Sequence, residues 1–298
     1  MSEPQLVESW RAFGDVDIGG AMAKPALGSP DDPIDMSQPL KLFWGPGCSS
    51  CLRMKEFFTK RDVPFISVNI LENQAEFDEL RKLGMKRIPL AVRGKHWADG
   101  QVLADLAIIG GLAFDKPRML SPGVMAQRSD RVMASAAALS GRFPDADLDL
   151  QLPSRPRSYK QLAGHIFQIF EMFLETVEDK KHFEYAAYFR DVPAEVVTTA
   201  DLVRFGNAIR ARFDAWWQRA GREMDFDAKA DVYYGDVNLH EFFERTLWHA
   251  AHHTRQLAEV IENLGFSTEG RLAEADLAGL PLPDHVYDDK IKLSVPAR

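Results

Sequence analysis

The apolar pattern of this chain changes once, near Gly110-Gly111, and each side of that point admits a different kind of fold. Before it, short apolar runs alternate with helix-length stretches. Leu40 to Trp44 is a short strand, and Gly45-Pro46-Gly47 turns the chain. A helix runs from Cys48 to about Lys60, where Asp62-Val63-Pro64 breaks it. Phe65 to Ile70 is a buried parallel strand, Glu72 to Leu83 a helix closed by Gly84, Ile88 to Val92 a third strand, and Gln101 to Ile109 a last helix. Residues 39–115 are therefore expected to form a small α/β unit.

Beyond the connector only long helical periods follow. Ser121-Pro122 opens a helix to about Arg142, with proline at its first position. After an Asp- and Pro-rich loop from Phe143 to Arg157, Ser158-x-x-Gln161 is a capping box that starts a second helix, to about Asp179. A third starts at Thr199 or Asp201 and runs through Trp216-Trp217 to Ala220. A fourth starts at Val237-Asn238-Leu239 and is closed by Gly265. Four helices with longer connections over residues 119–266 fit a bundle. Residues 1–38 are rich in breakers and read as an extension, with a short amphipathic helix at Leu6 to Phe13; residues 267–298 read as an irregular strap over the bundle.

A length of 298 residues accommodates two such domains. The net charge is −8 and no basic stripe appears, which argues against nucleic acid as a partner. Met1 to Gln5 lacks the charged and apolar regions of a signal peptide, and no apolar run reaches membrane-spanning length, so a cytoplasmic location is expected. The two cysteines, Cys48 and Cys51, form one C-x-x-C, so disulfide staples are not the source of stability.

That C-x-x-C carries the first chemistry. Disulfide exchange needs a thiolate, and a thiol at a helix N-terminus is favoured by the partial positive charge and free N–H groups there. Cys48 sits at that first turn; Cys51, one turn further in, can close the ring and release a mixed disulfide. The competing use is half of a zinc site, but no second C-x-x-C or nearby histidine pair supplies the other half. About seventy residues here resemble the glutaredoxins, through Pro46-Gly47-Cys48-x-x-Cys51, Val63-Pro64-Phe65 and Arg87-Ile88-Pro89. The resemblance implies a thioredoxin-like fold. It makes Cys48 the nucleophile, Cys51 the resolving thiol, Pro89 a cis-proline against them and Ile88 a backbone contact to glutathione. Two positions depart from that family: Gly45 stands where Lys or Arg is usual, and Arg-Ile-Pro replaces Thr-Val-Pro.

The second chemistry lies in Trp248-His249-Ala250-Ala251-His252-His253. On a helix from Phe242 to Leu264, His249 and His253 are one turn apart on the face of Phe242, Val260 and Leu264. His252 is expected on the wetter side with Arg255, Glu259 and Glu262. Two imidazoles rarely suffice for a divalent ion, and His165, among Leu162, Ile169 and Met172 on the second helix, is the natural third. Each histidine could instead be a hydrogen-bonded core residue, and pairing His249 with His252 at i, i+3 competes with pairing it with His253. Residues 119–266 resemble the DinB-like four-helix bundles, through Leu162-Ala163-Gly164-His165 and Leu247-Trp248-His249…His253-Thr254-Arg255-Gln256-Leu257. That resemblance implies a divalent metal on His165, His249 and His253, and several relatives are thiol-dependent transferases or isomerases.

Together these features lead to the expectation of a thiol-dependent redox and transferase enzyme. Its cofactors would be a divalent metal (zinc, nickel or iron) and a low-molecular-weight thiol such as glutathione. It would act on a small electrophile or disulfide, without nucleic acid or membrane. Arg87 and Arg255 are candidates, on position alone, to hold the thiol's carboxylates. The alternative is a non-catalytic protein that senses redox state or holds metal.

Overall fold

A computed structural model describes residues 33–82, 84, 85, 87–152 and 157–288. The chain divides into two compact units. Among the described residues, one comprises those up to Pro117 together with Pro283–Asp288; the other begins at Arg118 and runs to Leu282. The expected helix at Leu6 to Phe13 lies outside the described residues.

The first unit is a small mixed sheet with helices. Strands β1 (Leu40–Trp44), β2 (Ile66–Asn69), β3 (Leu90–Arg93) and β4 (His96–Asp99) lie in the order β2-β1-β3-β4. β1 runs parallel to β2, with Phe43 opposite Val68, and antiparallel to β3, with Leu42 opposite Ala91. β1 is buried on both sides, as a central strand of apolar residues should be. Helices α1 (Ser49–Thr59), α2 (Gln74–Lys82) and α3 (Leu103–Gly110) complete the unit. Met54, Phe57 and Phe58 of α1 and Leu106, Ala107 and Ile109 of α3 close one core with Leu40, Leu42, Ala91 and Ala98. This is the thioredoxin-like arrangement expected from the strand order.

β4 is an element that the strand pattern alone did not mark. It pairs with β3 through a two-residue turn in which Gly94, at φ 58°, takes the first position. Gly94-Lys95 between two short runs is the signal that announces it.

The second unit is helical. Its long helices are α4 (Pro122–Ser140), α5 (Tyr159–Val177), α6 (Thr199–Arg219) and α7 (Leu239–Asn263), followed by the short α8 (Glu274–Leu277). α4 and α5 each pack against both α6 and α7. The starts are set by local chemistry. Ser121 Oγ accepts from the Val124 N–H before Pro122, and Ser158–Gln161, Thr198–Asp201 and Asn238–Glu241 are reciprocal capping boxes.

α7 is the helix on which the site depends. From Arg245 to Thr254 every residue is buried, so it has no wet side over three turns. This corrects the expectation for His252, which is wholly buried at 0 % exposure rather than turned to solvent with Arg255. A helical wheel assumes one covered face. Here helices α4 and α5 flank α7, and Phe183 and Tyr188, from the segment after α5, pack their rings against Phe242 and His249.

The C-terminal segment also departs from expectation. Residues 267–282 belong to the helical unit, where Arg128 donates to the carbonyls of Asp276 and Ala278. Pro283–Asp288 belongs instead to the first unit and lies on α1. The Glu56 carboxylate accepts from the Asp284 and His285 N–H groups, Lys60 pairs with Asp284 at 2.8 Å, and Lys55 pairs with Asp288.

Candidate functional site

Cys48 is the N-cap of α1 and half-buried; Cys51 is 1 % exposed. The two are joined as a disulfide. The Cys51 N–H points at Cys48 Sγ at 3.2 Å. A backbone donor and a helix N-terminus are the surroundings that favour a thiolate over a thiol, and Cys51 is buried. Geometry thus separates the two sulfurs into an accessible and an internal one.

The Ile88-Pro89 bond is cis. Gly100 brings this proline against α1: a Cβ on Gly100 would lie 2.6 Å from Pro89 Cβ and 2.7 Å from Met54 Sδ, three residues beyond Cys51. The Gly100 N–H also donates to the Pro89 carbonyl at 3.0 Å. Arg87, a candidate for holding a carboxylate of the thiol, is ion-paired with the buried Asp99 at 3.0 Å.

His165 of α5 and His249 and His253 of α7 converge in the helical unit. One ring nitrogen from each lies within 4.8 Å of the others, and all three residues are buried. The Nε2 atoms of His249 and His253 are 3.1 Å apart. Ligand nitrogens about 2.0–2.1 Å from one cation lie roughly 2.9–3.4 Å apart, between right-angle and tetrahedral geometry. The His249–His253 edge is therefore already at ligand spacing. Two facing imidazole nitrogens can otherwise share only a single proton, and a nitrogen of the third ring lies within 4.8 Å of both. Burial, then the charges of His253, Arg245, His252 and Arg157, hold His249 well below the ordinary histidine range, so it is neutral and ready to ligate near pH 7. Its Nδ1 is buried with no hydrogen-bond partner among the described residues. Three converging imidazoles of this kind could hold a metal ion.

The surroundings of the cluster were not legible as site residues. Tyr188 comes from a 3-10 turn, Tyr185–Phe189, and its ring packs edge-on to both His165 and His249. Arg245, one turn before His249, donates to the Tyr188 hydroxyl and lies over the Tyr188 and Tyr234 rings. Burial drives Tyr188 upward, so it remains a neutral phenol. Gln256 bridges His253 and His252. Arg245 and Gln256 could have been found as the i−4 and i+3 neighbours of the histidine pair; Tyr188 lies in a stretch without period and carries no such signal. Arg255, the other arginine proposed on position, is half-buried on α7.

Residues 40–97 match the Glutaredoxin family, a span that covers β1 to β3, the start of β4, the cysteine pair and the cis-proline. No curated protein and no solved structure matches the chain. No described helix is long and apolar enough to cross a membrane.

Proposed function

We propose that this chain is a cytoplasmic enzyme dependent on a low-molecular-weight thiol such as glutathione. A dithiol oxidoreductase unit is joined to a DinB-like four-helix bundle that holds one divalent ion on His165, His249 and His253. The observation that carries the redox part is the Cys48–Cys51 disulfide at the N-cap of α1, within the segment that matches the Glutaredoxin family. The observation that carries the metal part is the convergence of three buried imidazole nitrogens.

In the redox unit the Cys48 thiolate attacks one sulfur of a small disulfide. That S–S bond breaks, the departing thiolate takes a proton, and Cys48 is left in a mixed disulfide. Cys51, deprotonated in turn, attacks Cys48 Sγ, releases the second thiol and closes the intramolecular disulfide. Two electrons have then passed from the dithiol to the substrate, and an external thiol returns them. By resemblance to the glutaredoxins, the cis-proline Pro89 and the Ile88 backbone would border the exchanging sulfurs.

In the bundle a bound divalent ion would hold an incoming thiol as thiolate and polarise an electrophile. The chain's own contribution is positional. The histidines are donors fixed on two packed helices, Tyr188 walls the cluster, and the buried Arg245 provides a positive charge one turn away. A thiolate attacking an electrophilic carbon there would form a C–S bond as that carbon's leaving group departs; attacking a disulfide instead, it would displace one thiolate and leave a mixed disulfide that is a substrate for Cys48.

Two measurements on untagged protein test the reading. Metal analysis should give one divalent ion per chain, and a thiol-conjugation screen should give saturable, metal-dependent turnover. The burial of all three histidines favours a second reading, a binding or sensing centre without turnover. Bound metal with no exchangeable ligand and no thiol kinetics would select it.

A further inference from the structure

His252 is wholly buried and is not among the three converging histidines. Its role follows from what it touches. Its Nε2 lies 3.3 Å from the Gln256 side-chain nitrogen, and the Gln256 side-chain oxygen lies 2.6 Å from His253 Nδ1. Gln256 is itself 3 % exposed, so its amide is satisfied inside the protein. The spacing on α7 makes this possible: Gln256 is one turn from His252 at i+4 and from His253 at i+3.

The chain of contacts has a direction. The amide N–H donates to His252 Nε2, which must offer a lone pair. The amide oxygen can only accept, so the proton on His253 sits on Nδ1. His253 Nε2 then carries a lone pair, and it is Nε2 that faces His249. The opposite tautomer would place an N–H in the centre of the cluster and exclude a cation. Which nitrogen of a ligating histidine is available is set by the hydrogen bond the other one makes.

We propose that Gln256, anchored by His252, is a positioning residue that sets the tautomer of His253 and so makes the histidine cluster competent to bind a cation. The inference rests on the metal-centre reading above and adds two residues to it. Neither touches the ion. Gln256 acts on His253 by accepting its proton, and His252 acts on Gln256 by fixing which way its amide faces.

The test uses the full chain, with zinc as the probe. Long-range nitrogen–proton correlation spectra of the metal-free protein should show His253 as the Nδ1–H tautomer. Zinc affinity is then read by competition with a chromophoric chelator. Gln256→Glu keeps an accepting oxygen and should hold both the tautomer and the affinity at or above the wild-type level. Gln256→Leu removes the acceptor and should release the tautomer and weaken zinc binding by about 10–100-fold. A purely space-filling role for Gln256 would not distinguish the two variants in this way.

His253 found as Nε2–H in the wild-type spectrum overturns the inference, whether or not either variant folds. Zinc binding by the wild type that Gln256→Leu leaves unchanged overturns it alone. Absence of zinc binding by the wild type overturns the metal-centre reading and this inference with it.

Discussion

Cys48 and Cys51 are chemically identical and structurally unlike. Cys48 caps α1 and is half-buried, whereas Cys51 is buried beneath it. Cys48→Ser should therefore abolish reduction of a small mixed disulfide. Cys51→Ser should retain monothiol turnover with glutathione as the resolving thiol. Equal inactivity of the two variants, with Cys51 the faster to alkylate at neutral pH, would reverse the assignment. The histidines divide in the same manner. His253→Ala should lose the bound ion, and His252→Ala should keep one per chain at lower affinity; metal content after desalting reads both. The spacing of His249 and His253 was legible because an i, i+4 pair on a long helix has only one geometry. The burial of His252 was not, because it depends on what the rest of the chain lays over α7. Tyr188 was beyond reach for the same reason: a tyrosine in an aperiodic segment says nothing of where the segment folds back.

At the scale of elements, the helical unit was legible wherever a cap wrote its boundary. Ser158–Gln161 and Asn238–Glu241 place α5 and α7, and with them His165 and the histidine pair. The close fit of α5 to α6 left no trace in the pattern. A Cβ on Gly206 of α6 would lie 2.3 Å from the Phe167 ring of α5. Alanine there gains about 0.5–1 kcal/mol in helix propensity but overpacks the interface at a cost of about 1–3 kcal/mol. Gly206→Ala should therefore lower the melting temperature, although the same change at an exposed helical glycine would raise it. Arg190 ties the turn that carries Tyr188 to α5. It meets both Glu175 oxygens at 3.0 Å and Glu171 at 3.4 Å. Burial works against the Glu175 charge, but the Arg190 hydrogen bond and charge outweigh it and hold Glu175 below its ordinary value. A carboxylate with a lowered folded value stabilises the fold above its unfolded pKa and stops doing so as pH falls through the folded one. Arg190 is part-exposed, so Arg190→Ala should cost no more than about 1 kcal/mol at pH 7. That difference from wild type should shrink as the melting pH is taken below about 4.5, the carboxylate range; a constant difference would assign the loss to packing.

At the scale of the whole molecule, the sequence divides where its pattern changes, and the α/β order before that point was readable from short apolar runs and breakers. The assignment of Pro283–Asp288 to the first unit was not, because its anchors on Glu56, Lys55 and Lys60 lie more than two hundred residues away in sequence. Joining a thiol-exchange unit to a histidine cluster makes sense if one thiol serves both. We propose that a mixed disulfide, formed at the cluster when a thiolate displaces one sulfur of a disulfide substrate, is resolved by Cys48. A double-mutant cycle in the intact chain reads this. If His253→Ala and Cys48→Ser each reduce turnover of a small disulfide and their effects are not additive, the sites act on a shared intermediate. If disulfide turnover ignores His253, they are independent modules.

The metal-centre reading depends on whether His165, His249 and His253 hold an ion. The most direct measurement is the divalent-metal content of untagged full-length protein, wild type beside His249→Ala, by elemental analysis. One ion per chain is expected in the wild type and none in the variant. No metal in the wild type after reconstitution, or the same content in both, would contradict it.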